Sequence, residues 1–194
     1  MSDIEFASLP PARLKTDYLI SGAGAMGMGF ADVIRMQEPS AHITLVDRRP
    51  RPGGHWNDAY PFVALHQPAA FYGLSSAKLG TGGSDLASGP EIVSYYHRAL
   101  QRMLASGKVT FLSQCDAQQT ENGNGRVVSL LDNETTTDVE INKRYVDAGA
   151  MMVDVPATHK PAYEVADGVK LIPPNGLPQV KKPWEKYVVI GAGK

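Results

Sequence analysis

Gly22, Gly24 and Gly27 follow directly on the apolar run Tyr18-Leu19-Ile20-Ser21. Asp47 closes a second apolar run, Ile43 to Val46, 20 residues past Gly27. This spacing suits the binding of a diphosphate. Gly22 permits a tight turn out of a strand. Gly24 removes a Cβ from the path of a pyrophosphate, and Gly27 lets helix and strand pack closely. The amides of Ala25 and Met26 fall in the first turn of the helix, where free N–H groups and roughly half a positive charge face an anion. Asp47 can accept hydrogen bonds from an adenosine ribose, and Arg48 stands beside it. Three glycines alone are weak evidence. Here strand, turn, helix, second strand and terminal acid occur in order, which is the pattern of a dinucleotide site. The competing reading is a glycine-rich turn that binds nothing.

A second candidate follows at once: Arg51-Pro52-Gly53-Gly54-His55-Trp56. Gly53 and Gly54 can bring backbone amides close to a ligand, and Trp56 offers a flat apolar wall. Alone, the stretch reads as a surface turn with a packed tryptophan; just after a nucleotide-binding strand–helix–strand unit, it reads as part of the site. The prolines Pro50 and Pro52 and the adjacent glycines exclude regular structure from Arg48 to Ala59.

Other chemistry is absent from the pattern. The five histidines, His42, His55, His66, His97 and His159, show no metal-ligand spacing. No Ser-His-Asp or Cys-His arrangement stands out. Cys115 is the only cysteine, so there is neither a disulfide framework nor a redox pair. The net charge of −1 provides no field for nucleic acid or anionic lipid. No stretch approaches the ~18 apolar residues of a membrane span. The first 16 residues, acidic at Asp3 and Glu5, do not resemble a secretory signal. A cytoplasmic setting, a small-molecule substrate, and no nucleic acid or membrane partner are the expectations; oligomeric state is not encoded.

The elements needed to hold the glycines can be read in order. Met26, Phe30, Val33 and Gln37 recur at helical spacing with Ile34 beside them, and Pro39 closes that helix. Pro90 to Ser106 is a second helix, capped by Ser88 or Gly89, with Ile92, Tyr96, Ala99 and Met103 as its core stripe. Val109 to Leu112 is a third parallel strand. Phe62 to Pro68 can form a short strand, and Thr81 to Gly89 is a linker. Asn122-Gly123-Asn124-Gly125 is a hairpin signal between β-prone stretches. Arg126 to Leu131, Thr136 to Ile141 and Lys143 to Asp147 are the strands expected around it. The predicted architecture is α/β: a Rossmann-like dinucleotide domain with a parallel sheet and an inserted antiparallel β-meander.

Gly22–Gly27, Asp47 and Arg51–Trp56, with the continuation Asn57-Asp58-Ala59-Tyr60-Pro61, resemble the FAD-binding start of flavin-containing monooxygenases and related oxidoreductases with two dinucleotide domains. The resemblance implies that Gly53 and Gly54 lie along the FAD pyrophosphate. It implies that residues near them, Trp56 among them, approach the flavin. Phe71 and Tyr72 either wall the flavin or simply pack, and His66 and Gln67 are either contacts for its polar edge or ordinary satisfied or exposed side chains. Cys115, just past the third strand, would touch the adenine through its backbone. FAD members usually carry glutamate where this chain has Asp47, and Ala-Thr-Gly where it has Asp147-Ala148-Gly149.

The expected organisation is a lead-in (1–16), the FAD-binding domain (17–150), a connector with six prolines (151–183), and a renewed strand (184–194). Tyr187 to Ile190 followed by Gly191-Ala192-Gly193 repeats the opening of the first motif. By the resemblance it would begin an NAD(P)-binding domain, and the chain would be the N-terminal piece of a longer protein; the alternative is a chance recurrence of the Gly-Ala-Gly tail. The function expected of that parent, by the resemblance, is reduction of FAD by NAD(P)H followed by oxygenation of a small molecule with dioxygen. The alternatives are a non-catalytic dinucleotide-binding fragment and an NAD-dependent dehydrogenase.

Overall fold

A computed structural model describes residues 11–149 and 156–191. Most of the expected lead-in, the start of the connector and the Ala192-Gly193 repeat lie outside the described residues. Four strands run parallel: β1 (Arg13–Ser21), β2 (Ile43–Asp47), β3 (Val109–Ser113) and β6 (Thr136–Asp147). The short strands β4 (Cys115–Gln119) and β5 (Gly125–Ser129) complete an antiparallel meander with β6. The order is β3-β2-β1-β6-β5-β4.

β3 and β4 are consecutive in sequence yet stand at opposite ends of that order. The meander therefore folds across the parallel strands. Tyr145 of β6 donates its hydroxyl to the Ala117 carbonyl of β4 at 3.0 Å. Two buried layers result. On one face of the parallel sheet, Leu19, Val46 and Leu112 pack on Cys115, Ala117, Val127 and Val139 of the meander. On the other face, Ile20, Ile43, Leu45 and Phe111 pack under helices α1 (Ala25–Gln37) and α2 (Gly89–Leu104).

α2 buries the stripe its periodicity predicts: Ile92, Tyr96, Ala99 and Met103, with Tyr95 and Leu100 beside them. Its start is a capping box, in which the Ser88 side chain accepts from the Glu91 amide and the Glu91 carboxylate accepts from the Ser88 amide at 2.8 Å.

α1 departs from expectation. Met26, Val33 and Gln37 are exposed, and the buried residues are Gly27, Met28, Ala31 and Asp32. Gly27 and Ala31 let the helix approach the sheet closely, Met28 fills the core beside them, and Phe30 and Ile34 flank the contact. Three further differences concern short elements. Gly54–Asp58 is a 3₁₀ helix where no regular structure was expected. Phe62 to Pro68 forms only a single bridge, Ala64 to Ser88. Thr136 to Asp147 is one continuous strand because β5 and β1 pair with it on both sides. Residues 156–191 are irregular apart from a 3₁₀ turn, Pro174–Gln179, and Tyr187 to Ile190 is unpaired.

No helix among the described residues is long and apolar enough to cross a membrane.

Candidate functional site

Register fixes where the candidate residues emerge. Ser21 pairs with Val46 and with Asp147, and Asp47 pairs with Ser113. The carboxyl ends of all four parallel strands thus share one edge, the edge where open α/β sheets bind ligands. The glycine turn, Asp47, the Gln114 turn and Ala148 all leave the sheet there.

The turn is built by close approach. Gly22 has φ 104°, and its amide donates to the Val46 carbonyl at 2.7 Å. A Cβ on Gly27 would lie 1.8 Å from the Gly22 carbonyl oxygen, so any larger residue would force helix and turn apart. Ala148 closes the far side. Its amide donates to Ser21, and its Cβ lies 3.3 Å from where a Gly27 Cβ would stand. α1 begins on Gly24 with no side-chain cap and no acid in its first turn. Its terminal N–H groups take no side-chain cap, with Ala25 half-buried and Met26 exposed.

Gly53 and Gly54 are fastened directly to this turn. The Gly53 amide donates to the Ala23 carbonyl at 2.9 Å. A Cβ on Gly24 would stand 3.4 Å from the Gly54 Cα, and one on Gly54 would stand 2.9 Å from the Gly24 Cα. The open side of Gly24 thus receives Gly54, where sequence alone assigned it to a pyrophosphate. Gly54 needs its glycine twice over, for this contact and for φ 56°. On its other side Gly53 faces Val93 of α2. The two glycine segments form one structure wedged between α1 and α2.

Asp47 sits at the centre. It is 5% exposed. One carboxylate oxygen accepts from the Ala23 amide at 2.7 Å and the other from the Arg49 amide at 2.8 Å. Burial pushes its carboxyl up, while the two amides and the Arg49 charge hold it down. The Arg49 guanidinium pairs with Asp58 in the 3₁₀ helix, its Nε donating at 2.7 Å. Arg48, by contrast, is exposed.

Trp56 is both packed and available. Its indole N–H donates to the Tyr72 hydroxyl at 2.6 Å, and the rings meet edge to face at 5.8 Å. Tyr72 continues onto Tyr96 of the core. Trp56 also lines a groove of about 610 Å³ with Arg51, Tyr60, Pro90, Val93 and His97. That groove lies on the α2 side of the Gly53-Gly54 turn, and none of Gly22, Gly24 or Gly27 lines it.

The remaining candidates stand apart. His66 is exposed on the loop after Leu65 and has no hydrogen bond to the glycine turn. Phe71 is exposed. Cys115 is buried in the meander-side core, its thiol directed at the Ser113 carbonyl and pushed up by burial. The adjoining Gln114 amide donates to the Arg49 carbonyl at 3.3 Å, which brings the end of β3 beside Asp47. Among the described residues no group of His, Cys, Asp or Glu could hold a metal ion.

Sequence reasoning missed Asp32. This buried α1 acid accepts from the Ser76 amide at 2.9 Å and from its hydroxyl, fastening the 74–77 loop to the helix. Its place between Ala31 and Val33 carries no distinguishing pattern.

Solved structures share this fold. A flavin-containing monooxygenase from Stenotrophomonas maltophilia matches with a TM-score of 0.55 at 18% identity, over 70% of this chain and 38% of that one. The chain has the fold of the flavin-containing monooxygenases. An oxidized steroid monooxygenase bound to NADP matches with a TM-score of 0.55 at 19% identity, over 77% of this chain and 28% of that one. The bacillithiol disulfide reductase of Staphylococcus aureus matches at 0.51 and 8% identity, over 65% of this chain and 36% of that one. An uncharacterized protein of Mycobacterium tuberculosis is 40% identical over 196 residues, and a protein of Mycobacterium bovis matches equally. The match covers 95% of this chain but 35% of those relatives, so the chain spans little more than a third of their length. No protein-family model matches the chain.

Proposed function

We propose that this chain is the FAD-binding portion of a flavin- and NAD(P)H-dependent oxidoreductase, monooxygenase-like in type, that oxidises a small molecule. One observation carries the reading. An uncapped helix N-terminus stands behind a glycine turn that is locked to a second glycine turn at the carboxyl edge of the sheet. The residues fit the diphosphate half of FAD: the amides of Ala25 and Met26 are free of side-chain caps, and no acid in the first turn repels an anion. Gly53 and Gly54 hold the adjacent backbone in place, and Trp56 extends an apolar wall from it. When bound, FAD would take electrons from NAD(P)H and pass them to dioxygen, the oxidant of the small molecule, and the protein would bind, orient and exclude water. NAD(P)H and the substrate belong to the whole parent protein in this reading.

The test is direct. The purified chain is expected to be yellow or to turn so on addition of FAD, with quenched flavin fluorescence that titrates to a single site. Gly54→Val should abolish that titration while α2 and the core stay folded by circular dichroism. A colourless chain that ignores FAD and binds NADH would overturn the proposal.

A further inference from the structure

Asp47 occupies the position from which an acid at the end of a second strand reaches a ribose. Its surroundings show a different occupation. Both oxygens already accept from backbone amides, Ala23 at 2.7 Å and Arg49 at 2.8 Å. A carboxylate has lone pairs to spare, so capacity is not the obstacle; access is, because only 5% of the residue reaches solvent.

What Asp47 holds is the junction of the site. Ala23 gives its amide to Asp47 and its carbonyl to the Gly53 amide. Arg49 gives its amide to Asp47, its carbonyl to the Gln114 amide, and its guanidinium to Asp58. Four backbone segments, namely the glycine turn, the Gly53-Gly54 turn, the end of β2 and the β3–β4 turn, therefore meet around one carboxylate.

We infer that Asp47 is a positioning residue: it sets the Ala23 amide so that the glycine turn and the Gly53-Gly54 turn face one ligand, and recognition of the ribose does not run through it. The fastening of the turn stands on this chain's own hydrogen bonds; its consequence for ligand affinity rests on the FAD reading. Ribose contact then falls to exposed groups at the same edge, of which Arg48 is the nearest in sequence.

Two measurements on the full chain decide it. In the ligand-free protein, amide hydrogen exchange at Ala23 and Arg49 should speed up at least about tenfold in Asp47→Ala. Asp47→Asn keeps one carbonyl acceptor and should restore protection at one of the two amides. Should Asp47→Ala fail to fold, the Asn variant alone still reports which amide is released. The second measurement compares ADP with 2′,3′-dideoxy-ADP by calorimetry on wild type and Asp47→Asn. A positioning role lowers affinity for both probes by a similar factor, roughly tenfold, and leaves the ratio between them the same in the two proteins. A purely structural role would leave both affinities of the folded variant unchanged. Unaltered exchange at Ala23, unchanged affinities in folded Asp47→Asn, or a dideoxy penalty present in wild type and gone in the variant would each overturn the inference. If wild type binds neither probe, the FAD reading fails, and the exchange result decides the fastening by itself.

Discussion

Gly27 shows how sharply a single residue can be constrained here. Its absent Cβ would fall 1.8 Å from a backbone oxygen, which cannot rotate away. Gly27→Ala should cost about 1–3 kcal/mol or more in urea unfolding, since overpacking against a fixed neighbour forces a backbone shift. Gly29 lies on the same helix with nothing within 4 Å of its Cβ position. Gly29→Ala should gain up to about 1 kcal/mol by helix propensity alone. Opposite signs from one substitution two residues apart would locate the strain at the turn. Asp47 makes a prediction in pH. Burial raises its carboxyl, so as pH falls the folded chain binds that proton before the unfolded chain does. Its contribution is complete below the unfolded value and is lost as pH rises through the raised folded value. Asp17 and Asp132 act oppositely. The His42 amide lowers Asp17, and the Thr135 hydroxyl and amide hold Asp132 down to about 2. Their contributions are present above the unfolded value and lost as pH falls. The melting temperature of wild type minus that of Asp47→Asn should therefore grow as pH falls from 7 toward the unfolded carboxylate value of 3.8. A difference that shrinks over that range would contradict the burial of the charge.

Among the elements, α2 offers the cleanest test, because its cap is local. Ser88→Ala removes the side chain that accepts from the Glu91 amide. The loss should be about 1 kcal/mol by chemical denaturation, with fraying confined to the first turn in exchange experiments. The cap and stripe of α2 were legible because both are written in contiguous residues at helical spacing. The same holds for β2 and β3, whose apolar runs match the observed strands within a residue. β4 was not legible. Cys115-Asp116-Ala117-Gln118-Gln119 presents only Cys115 and Ala117 to the core, and no turn signal precedes it. The inner face of α1 was misread because hydrophobic spacing pointed to Met26 and Val33, whereas the close approach at Gly27 rotates Gly27, Met28 and Ala31 inward. The junction at Asp47 was half legible. The acid and the glycines are visible as residue types, but a bond from a side chain to an amide 24 residues away leaves no periodic trace. The 3₁₀ helix at Gly54–Asp58 was hidden by the glycines that permit it, since Gly53 and Gly54 both take positive φ.

For the molecule as a whole, the site joins four segments of one edge, so a ligand seated there should stabilise the entire sheet. At FAD concentrations a hundredfold above its dissociation constant the gain would be about 2.7 kcal/mol. Residues 187–190 behave differently. They belong to neither buried layer, pair with no strand among the described residues, and expose Val188 by 87% and Val189 by 88%. Exposed apolar backbone with unpaired N–H and C=O groups is a template for association with other chains. Replacing both valines with lysine should leave the urea midpoint of the α/β core within about 0.5 kcal/mol, because no core contact is removed. It should also shift concentration-dependent sedimentation toward the monomer. Loss of cooperative unfolding in that variant would instead show that 187–190 contributes to the core, and the boundary of the folded unit would have to be redrawn to include it.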